Sequence, residues 1–389
     1  MGTMRNWMLS AIAALAVIAG GALAYAPYLP QLLLEGSPPL VFSGRGHFAA
    51  VPGASAARDL HVADEAGARN LVPELASMFG DTHGAALLVY RDGELALEHY
   101  APGYDAHTRF NSYSMAKSLV GALIYRAIAE GEIAGLDVPL GDVLPEQRGI
   151  ADLTLRSLIT MRAGIHFDSA DSKFGGVGGK DSDTAPNPFG PLAHLHFMGL
   201  AAIGPGLEGD TANASGDFNY QNVNTALLGA VLESVYGQPL QDLLADKLWK
   251  PAMAAPALWR QPAVGTPVSA YCCIYATARD WIRIGVFLMQ NGSTEAPFLP
   301  EPLWREFMGL DVAPDALSAG NYGQHILQNI LDRPGEALQG PFTYLLGQNG
   351  QVLYLMPQHG LVVYRAGERI QLLHSTLYGA WNSLDGEGP

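Results

Sequence analysis

Apolar residues recur at helical spacing from Gly67 to Phe79, where Ala68, Leu71, Leu75 and Met78 share one face. Two apolar runs follow, Ala85 to Tyr90 and Leu95 to Tyr100, and predict strands. Arg91-Asp92-Gly93 sits between them, and an Asp-Gly pair suits a tight hairpin because both central residues of such a turn need positive φ. The C-terminal part mirrors this. Phe342 to Leu346, Gln351 to Met356 and Leu361 to Tyr364 predict three strands, with Gln348-Asn349-Gly350 and Gln358-His359-Gly360 as the turns. Gln371 to Ser383 predicts a closing helix, whereas helical periodicity and Pro/Gly-rich loops fill the middle from Ser114 to about Asn291. The expected fold is α+β: an antiparallel sheet of about five strands, drawn from both chain ends and flanked by helices. The sheet halves are 67–113 and 292–389, and a mostly helical region, 114–291, is inserted between them.

The first residues follow another pattern. After Arg5 an apolar run extends from Trp7 to Ala26, and roughly 20 such residues suffice to cross a bilayer as a helix. Ala22-Leu23-Ala24 resembles a signal-peptidase site. An uncleaved anchor is the favoured reading, because the run is long for a signal peptide and Leu29 and Leu32 to Leu34 continue its character past Pro27 and Pro30. Residues 1–34 are therefore expected to form a membrane anchor or signal segment. Residues 35–66, rich in Gly, Pro, Ala and Ser, are expected as a linker, with 67–389 as the folded domain. Under either reading the domain is exported, to the periplasm or outside the cytoplasmic membrane.

Composition narrows the classes further. With 49% hydrophobic and 15% charged residues the chain can build a core and is not disordered. A net charge of −15 argues against a nucleic-acid partner, since phosphate binding needs clustered Lys and Arg. The two cysteines are adjacent, Cys272-Cys273. Disulfide geometry is demanding, so two buried thiols are expected rather than a vicinal disulfide.

Candidate chemistry concentrates at Ser114-Met-Ala-Lys117. Met115, Leu119, Leu123 and Ala127 fall on one helical face, and Gly131 is placed to end the helix. Ser114 and Lys117, three apart, project from the same side. A serine hydroxyl needs an adjacent base, and a lysine serves if burial lowers its pKa. The helix N-terminus adds free N–H groups for a developing oxyanion. Lysine occurs only at 117, 173, 180, 247 and 250, and Ser114–Lys117 is the sole Ser-x-x-Lys. A helix-capping serine beside a solvated lysine explains the same motif on its own.

Further segments carry a resemblance in order. They are Arg109-Phe-Asn-Ser-Tyr-Ser114-Met-Ala-Lys117, Asp137-Val-Pro-Leu-Gly-Asp142-Val-Leu-Pro145, the run Leu153 to Ile165, Phe218-Asn-Tyr220-Gln-Asn222 and Ile274 to Gly285. Together they resemble the beta-lactamase and penicillin-binding-protein superfamily, in the branch of class C beta-lactamases, esterases and 6-aminohexanoate-dimer hydrolases, over roughly residues 67 to 382. The resemblance implies a beta-lactamase/transpeptidase-like fold and a serine hydrolase cleaving an ester or amide, with Ser114 as nucleophile and Lys117 and Tyr220 moving its proton. It also implies a Tyr220 pKa lowered by Lys117 and an Asn222 that orients substrate or Lys117.

The third motif departs from that family. No lysine follows Lys250, so Lys-Thr-Gly is absent, and its place falls to Gly347-Gln348-Asn349-Gly350. Gln348 and Gly350 are thus expected at the substrate, with a backbone N–H near Gln348 as second oxyanion donor. Loss of the cation argues against penicillin hydrolysis and D,D-peptidase activity. The rival readings are a non-catalytic, membrane-tethered binding or regulatory protein and a true beta-lactamase or D,D-peptidase. The class A Ser-Asp-Asn motif and a Gly-x-Ser-x-Gly elbow are both missing.

The remaining candidates are weaker. The resemblance places His325 near the pocket rim, and Asp168 and His166 follow the Ala163-Gly164 turn where they would line the substrate entrance. His194-Leu-His196, taken as a strand, lacks a third ligand, so no metal is expected. Gly175 to Lys180 fails the phosphate-loop template, since Asp181 follows the lysine. No cofactor is implied. The expected partners are a small ester or amide and a membrane, reached through the N-terminal helix.

Overall fold

The computed structural model describes residues 2–56, 60–63, 66–67, 69–165, 167, 188–209, 216–293 and 296–385. Strands β1 (His47–Val51), β2 (Gly84–Arg91), β3 (Glu94–Tyr100), β4 (Arg109–Asn111), β5 (Ala257–Gln261) and β6 (Ile274–Thr277) come first along the chain. They are followed by β7 (Asn321–Tyr322), β8 (Leu327–Leu331), β9 (Gly340–Gly347), β10 (Gln351–Met356) and β11 (Leu361–Gly367). The main sheet has the order β3-β2-β11-β10-β9-β8-β7, and all its pairings are antiparallel. The two chain ends meet at its centre, where β2 pairs β11 with Val89 opposite Val363. Asp92 (φ 50) and Gly93 (φ 102) make the turn that closes the β2–β3 hairpin.

This sheet has seven strands rather than about five. Strands β7 and β8 were missed because one is two residues long and the other, Leu-Gln-Asn-Ile-Leu, shows no period of two. Both faces of the sheet are covered, which is why β2 reads as a continuous apolar run. Leu88 and Tyr90 pack with Trp281 and Leu119 on one side. Leu87 and Val89 pack with Leu75, Phe79 and Leu377 on the other. The helix Ala278–Met289 lies so close to the sheet that a Cβ at Gly285 would meet Val362 Cγ1 at 2.5 Å.

A second sheet, β1-β5-β6-β4, has no counterpart in the sequence reading. Its strand β1 falls inside the stretch expected as a linker. Register runs from His47 opposite Gln261 to Val51 opposite Ala257. Phe48 packs against Phe42 and Tyr275, with ring centroids at 5.1 and 5.5 Å. Pairing and aromatic packing thus order residues whose Gly/Pro-rich surroundings suggest none.

The N-terminus also differs from a detached segment. Helix α1 (Gly2–Tyr25) contains a 20-residue stretch, Asn6–Tyr25, of mean hydropathy 2.0, long and apolar enough to cross a membrane. A signal sequence has the same properties. Helix α2 (Leu29–Glu35) is docked on the domain. Tyr28 donates to the Pro188 carbonyl at 2.8 Å, and the buried Arg260 guanidinium pairs with Glu35 at 2.9 Å.

Candidate active site

Helix α3 (Met115–Glu130) follows β4 after a sharp turn, with Tyr113 at φ 43. Ser112 Oγ accepts from the Ile274 N–H at 2.9 Å, which ties that turn to β6. Gly131, left-handed at φ 81, ends the helix. Ser114 occupies the N-cap position, yet its side chain makes no capping bond. Its Oγ lies instead 3.0 Å from Lys117 Nζ, which separates the two readings of the motif.

Lys117 is 1% exposed. Its Nζ also donates to the Tyr271 carbonyl at 2.9 Å. Burial alone pushes its pKa well below the usual lysine value. A neutral amine beside a serine hydroxyl holds a lone pair able to accept the hydroxyl proton.

Tyr220 completes the cluster. The Ser114 side chain acts on its phenol, and Lys117 Nζ sits 4.9 Å from its ring centroid. The expectation that Lys117 lowers its pKa is corrected. Burial pushes the phenol upward, opposed only by the nearby Ser114 side chain. A lysine that is itself uncharged exerts no field that would favour phenolate.

Asn222 opens the helix Asn222–Tyr236, and it lines the same pocket as Ser114 and Gln348. The polar contacts of Lys117 go to Ser114 and Tyr271, so Asn222 faces the pocket rather than the amine.

Gln348 lies in the turn after β9. That turn is held from behind by Arg365, a residue that sequence reasoning passed over. Its Nη1 donates to the carbonyls of Asn349 and Gly350 at 3.1 and 2.9 Å, and Nη2 reaches Thr82 Oγ1 at 2.9 Å. Gly350, expected at the substrate, packs against Arg365 and Ile370 rather than lining the pocket, and its φ of 75 serves the turn.

Gly347 sets the distance between this turn and the nucleophile. A Cβ there would stand 2.3 Å from the Ser112 carbonyl oxygen. Gly347→Ala is expected to push the turn outward, at a cost of about 1–3 kcal/mol in stability. A fall of roughly tenfold or more in kcat/KM should accompany it, because one misplaced donor loses most of its transition-state interaction. Denaturant unfolding and ester turnover would measure the two effects, and wild-type values for both would contradict this placement.

His325 is also corrected. It is buried beneath the site, with Nε2 2.9 Å from Thr225 Oγ1 and Nδ1 2.7 Å from the Ile159 carbonyl. Burial is the main cause that lowers its pKa to about 3, and a proton on Lys117, when that amine carries one, acts in the same direction. Both ring nitrogens are occupied in the interior, so it is not a rim residue. Asp168 and His166 lie outside the described residues.

Residues 194 and 196 stand on the helix Pro191–Met198, not on a strand, and point apart. His194 Nδ1 bonds Tyr28 Oη at 3.0 Å, while His196 Nδ1 lies 3.3 Å from Tyr271 Oη. Cys272 and Cys273 line the pocket as a vicinal disulfide, contrary to the free thiols expected. The backbone turns left-handed at Cys273 (φ 73), a conformation that the sequence does not announce.

Known proteins share this arrangement of elements. The sequence profile described as beta-lactamase matches residues 72–366. The 6-aminohexanoate-dimer hydrolase of Paenarthrobacter ureafaciens is 25% identical over 237 residues, 57% of this chain. That match spans only 56% of the relative's length. A Bacillus anthracis structure provisionally described as a 6-aminohexanoate-dimer hydrolase superposes with TM-score 0.69 at 18% identity, covering 88% of this chain and 90% of that one. A penicillin-binding protein from Bacillus halodurans gives TM-score 0.56 at 17% identity, covering 80% and 99% respectively. Both solved structures are similar in fold.

Proposed function

The chain belongs to the beta-lactamase family, and on that premise we propose that it is a serine hydrolase cleaving an ester or amide through an acyl-enzyme on Ser114. The observation that carries the reading is the 3.0 Å approach of Lys117 Nζ to Ser114 Oγ, with the lysine buried and its pKa well below the usual value. The similarity to a 6-aminohexanoate-dimer hydrolase is consistent with this class.

In the proposed sequence Ser114 Oγ attacks the substrate carbonyl carbon while its proton passes to the neutral Lys117 amine. The carbonyl π pair moves to oxygen, where the N–H groups of Ser114 and Gln348 receive the charge. Collapse of the tetrahedral intermediate breaks the bond to the leaving group, which takes a proton relayed through Tyr220. Water then gives a proton to the same relay, attacks the acyl-enzyme and frees Ser114 with the acid product.

Gln348 is neutral where a lysine would hold a substrate carboxylate. A lost charge-assisted bond of about 1.5–3 kcal/mol favours uncharged esters and amides over penicillins. Attachment to a membrane by α1, with the domain on its outer side, belongs to the same proposal.

Tyr220→Phe should keep the ring against Lys117 and remove only the relay. A loss of about 10²-fold in kcat, with an unchanged melting temperature, is expected. A panel of p-nitrophenyl esters and anilides, with nitrocefin beside them, tests the proposal as a whole. It is supported by ester or anilide turnover with an initial burst matching the enzyme concentration. No turnover of any member would favour the non-catalytic reading, and nitrocefin outpacing the esters would favour a beta-lactamase.

A further inference from the structure

We infer that the substrate is a membrane-borne amphiphile, an ester or amide of a long acyl chain, taken up from the bilayer surface beside α2. This rests on the hydrolase reading of Ser114 and on α1 crossing a membrane.

The path begins at α1. None of its apolar stretch is buried against protein, and it ends at Tyr25. Only residues 26–28 separate it from α2, so α2 must lie at the membrane–water interface if α1 spans. Helix α2 is apolar on two sides. Toward the domain, Leu29 and Leu32 pack against a cluster of Ala26, Tyr28, Ala193 and Phe197. Away from it, Leu33 and Leu34 are 86% and 77% exposed. Adjacent exposed leucines at the mouth of a spanning helix fit an interface in which an apolar face sinks among the acyl chains. Tyr25 beside Phe189, ring centroids 6.4 Å apart, adds the aromatic pair that such an interface favours.

Helix α2 also reaches the reaction centre. Leu32 and the following Gly36 to Pro38 form one wall of the Ser114 pocket, and Leu192 and Phe197 contribute apolar lining to it. This wall is not loosely tethered. Tyr113 Oη donates to the Pro38 carbonyl at 3.0 Å, and Asn111 Nδ2 donates to that of Pro39 at 3.1 Å. With the Arg260–Glu35 pair these bonds fix the pocket mouth relative to α2. An acyl chain lying along Leu32, Leu192 and Phe197 would carry its carbonyl to Ser114 without leaving apolar surroundings. The bond formed is acyl carbon to Ser114 Oγ, the bond broken is acyl carbon to the alcohol or amine, and water completes the hydrolysis.

The test uses the full chain reconstituted in phosphatidylcholine vesicles, with p-nitrophenyl acetate in solution and p-nitrophenyl palmitate in the bilayer. Two proteins are compared, wild type and a Leu33→Ser/Leu34→Ser double variant whose changes lie outside the pocket lining. The wild type is expected to prefer palmitate by about tenfold or more in kcat/KM, since each buried methylene adds to binding. The double variant should lose about fivefold or more on palmitate, keep its acetate rate and keep its melting temperature. Acetate turnover without preference for palmitate, or an unaffected palmitate rate in the double variant, overturns the inference and leaves the hydrolase reading standing. Failure of the wild type on both esters removes the hydrolase reading and this inference with it.

Discussion

Exchanging Lys117 for methionine is expected to lower kcat/KM by about 10³–10⁴-fold while raising the melting temperature. The first effect follows from the loss of the basic group that lies 3.0 Å from Ser114 Oγ, since a positioned general base contributes about 10²–10⁴-fold and here also prepares the nucleophile. The second follows from linkage. Lys117 has a folded-state pKa well below that of the unfolded chain because burial disfavours the ammonium. Below the unfolded value the unfolded state therefore binds more protons, so this lysine lowers stability increasingly as pH falls toward its folded pKa. Methionine fills much the same volume and carries no such cost. The hydrogen bonds to Ser114 Oγ and the Tyr271 carbonyl are forfeited, which offsets part of that gain. The same shift sets the pH profile. Wild-type kcat/KM should rise as Lys117 loses its proton and level off well below 10.5, the ordinary lysine value. Thermal melts at two pH values and a pH–rate profile check the three expectations. An active Lys117→Met enzyme would remove lysine from the mechanism.

Ser114→Ala is expected to leave no more than about 10⁻⁴ of wild-type turnover on any ester, because no second hydroxyl among the described residues is placed to replace Ser114 Oγ. Ser112 is two residues away, but its Oγ donates to the Tyr113 carbonyl at 3.0 Å and accepts from the Ile274 N–H, so it is committed to the turn. Tyr220 keeps its burial and therefore stays a phenol rather than a phenolate nucleophile. The fold should tolerate the change, since Ser114 makes no capping bond that alanine would lose. Substrate binding should persist as well, because Asn222 and Gln348 remain in the pocket. The variant should thus bind a slow ester with nearly unchanged affinity and not turn it over. Retained turnover would place the nucleophile elsewhere.

Much of this was legible in the chain because burial and periodicity leave marks in residue type. Strands β2, β3, β9, β10 and β11 are apolar on both faces, and the Asp92-Gly93 turn is written in its residues. Ser114, Lys117, Tyr220, Asn222 and Gln348 come from segments up to 234 residues apart, and it is the family resemblance of those segments that implied they meet. Other features leave no mark. A backbone carbonyl such as that of Tyr271, which holds Lys117, has no residue type to read. Strand β1 owes its order to pairing with β5 rather than to its own composition. His325 was placed by the family resemblance and Gly350 by its position in the third-motif segment, but their environments lie behind the pocket: one bonds Thr225 and Ile159, the other packs on Arg365. Arg365 follows the predicted strand Leu361 to Tyr364 with nothing in the sequence to mark its role, and in the fold its guanidinium supports the Gln348 turn from the interior.

The central claim is that Ser114 is an activated nucleophile, and covalent labelling tests it most directly. Folded wild-type protein incubated with a fluorophosphonate and then digested should carry one adduct, on the peptide containing Ser114, and Lys117→Met should label far more slowly. Well-folded wild type that takes no label at Ser114, or that is labelled at another residue, would contradict the account.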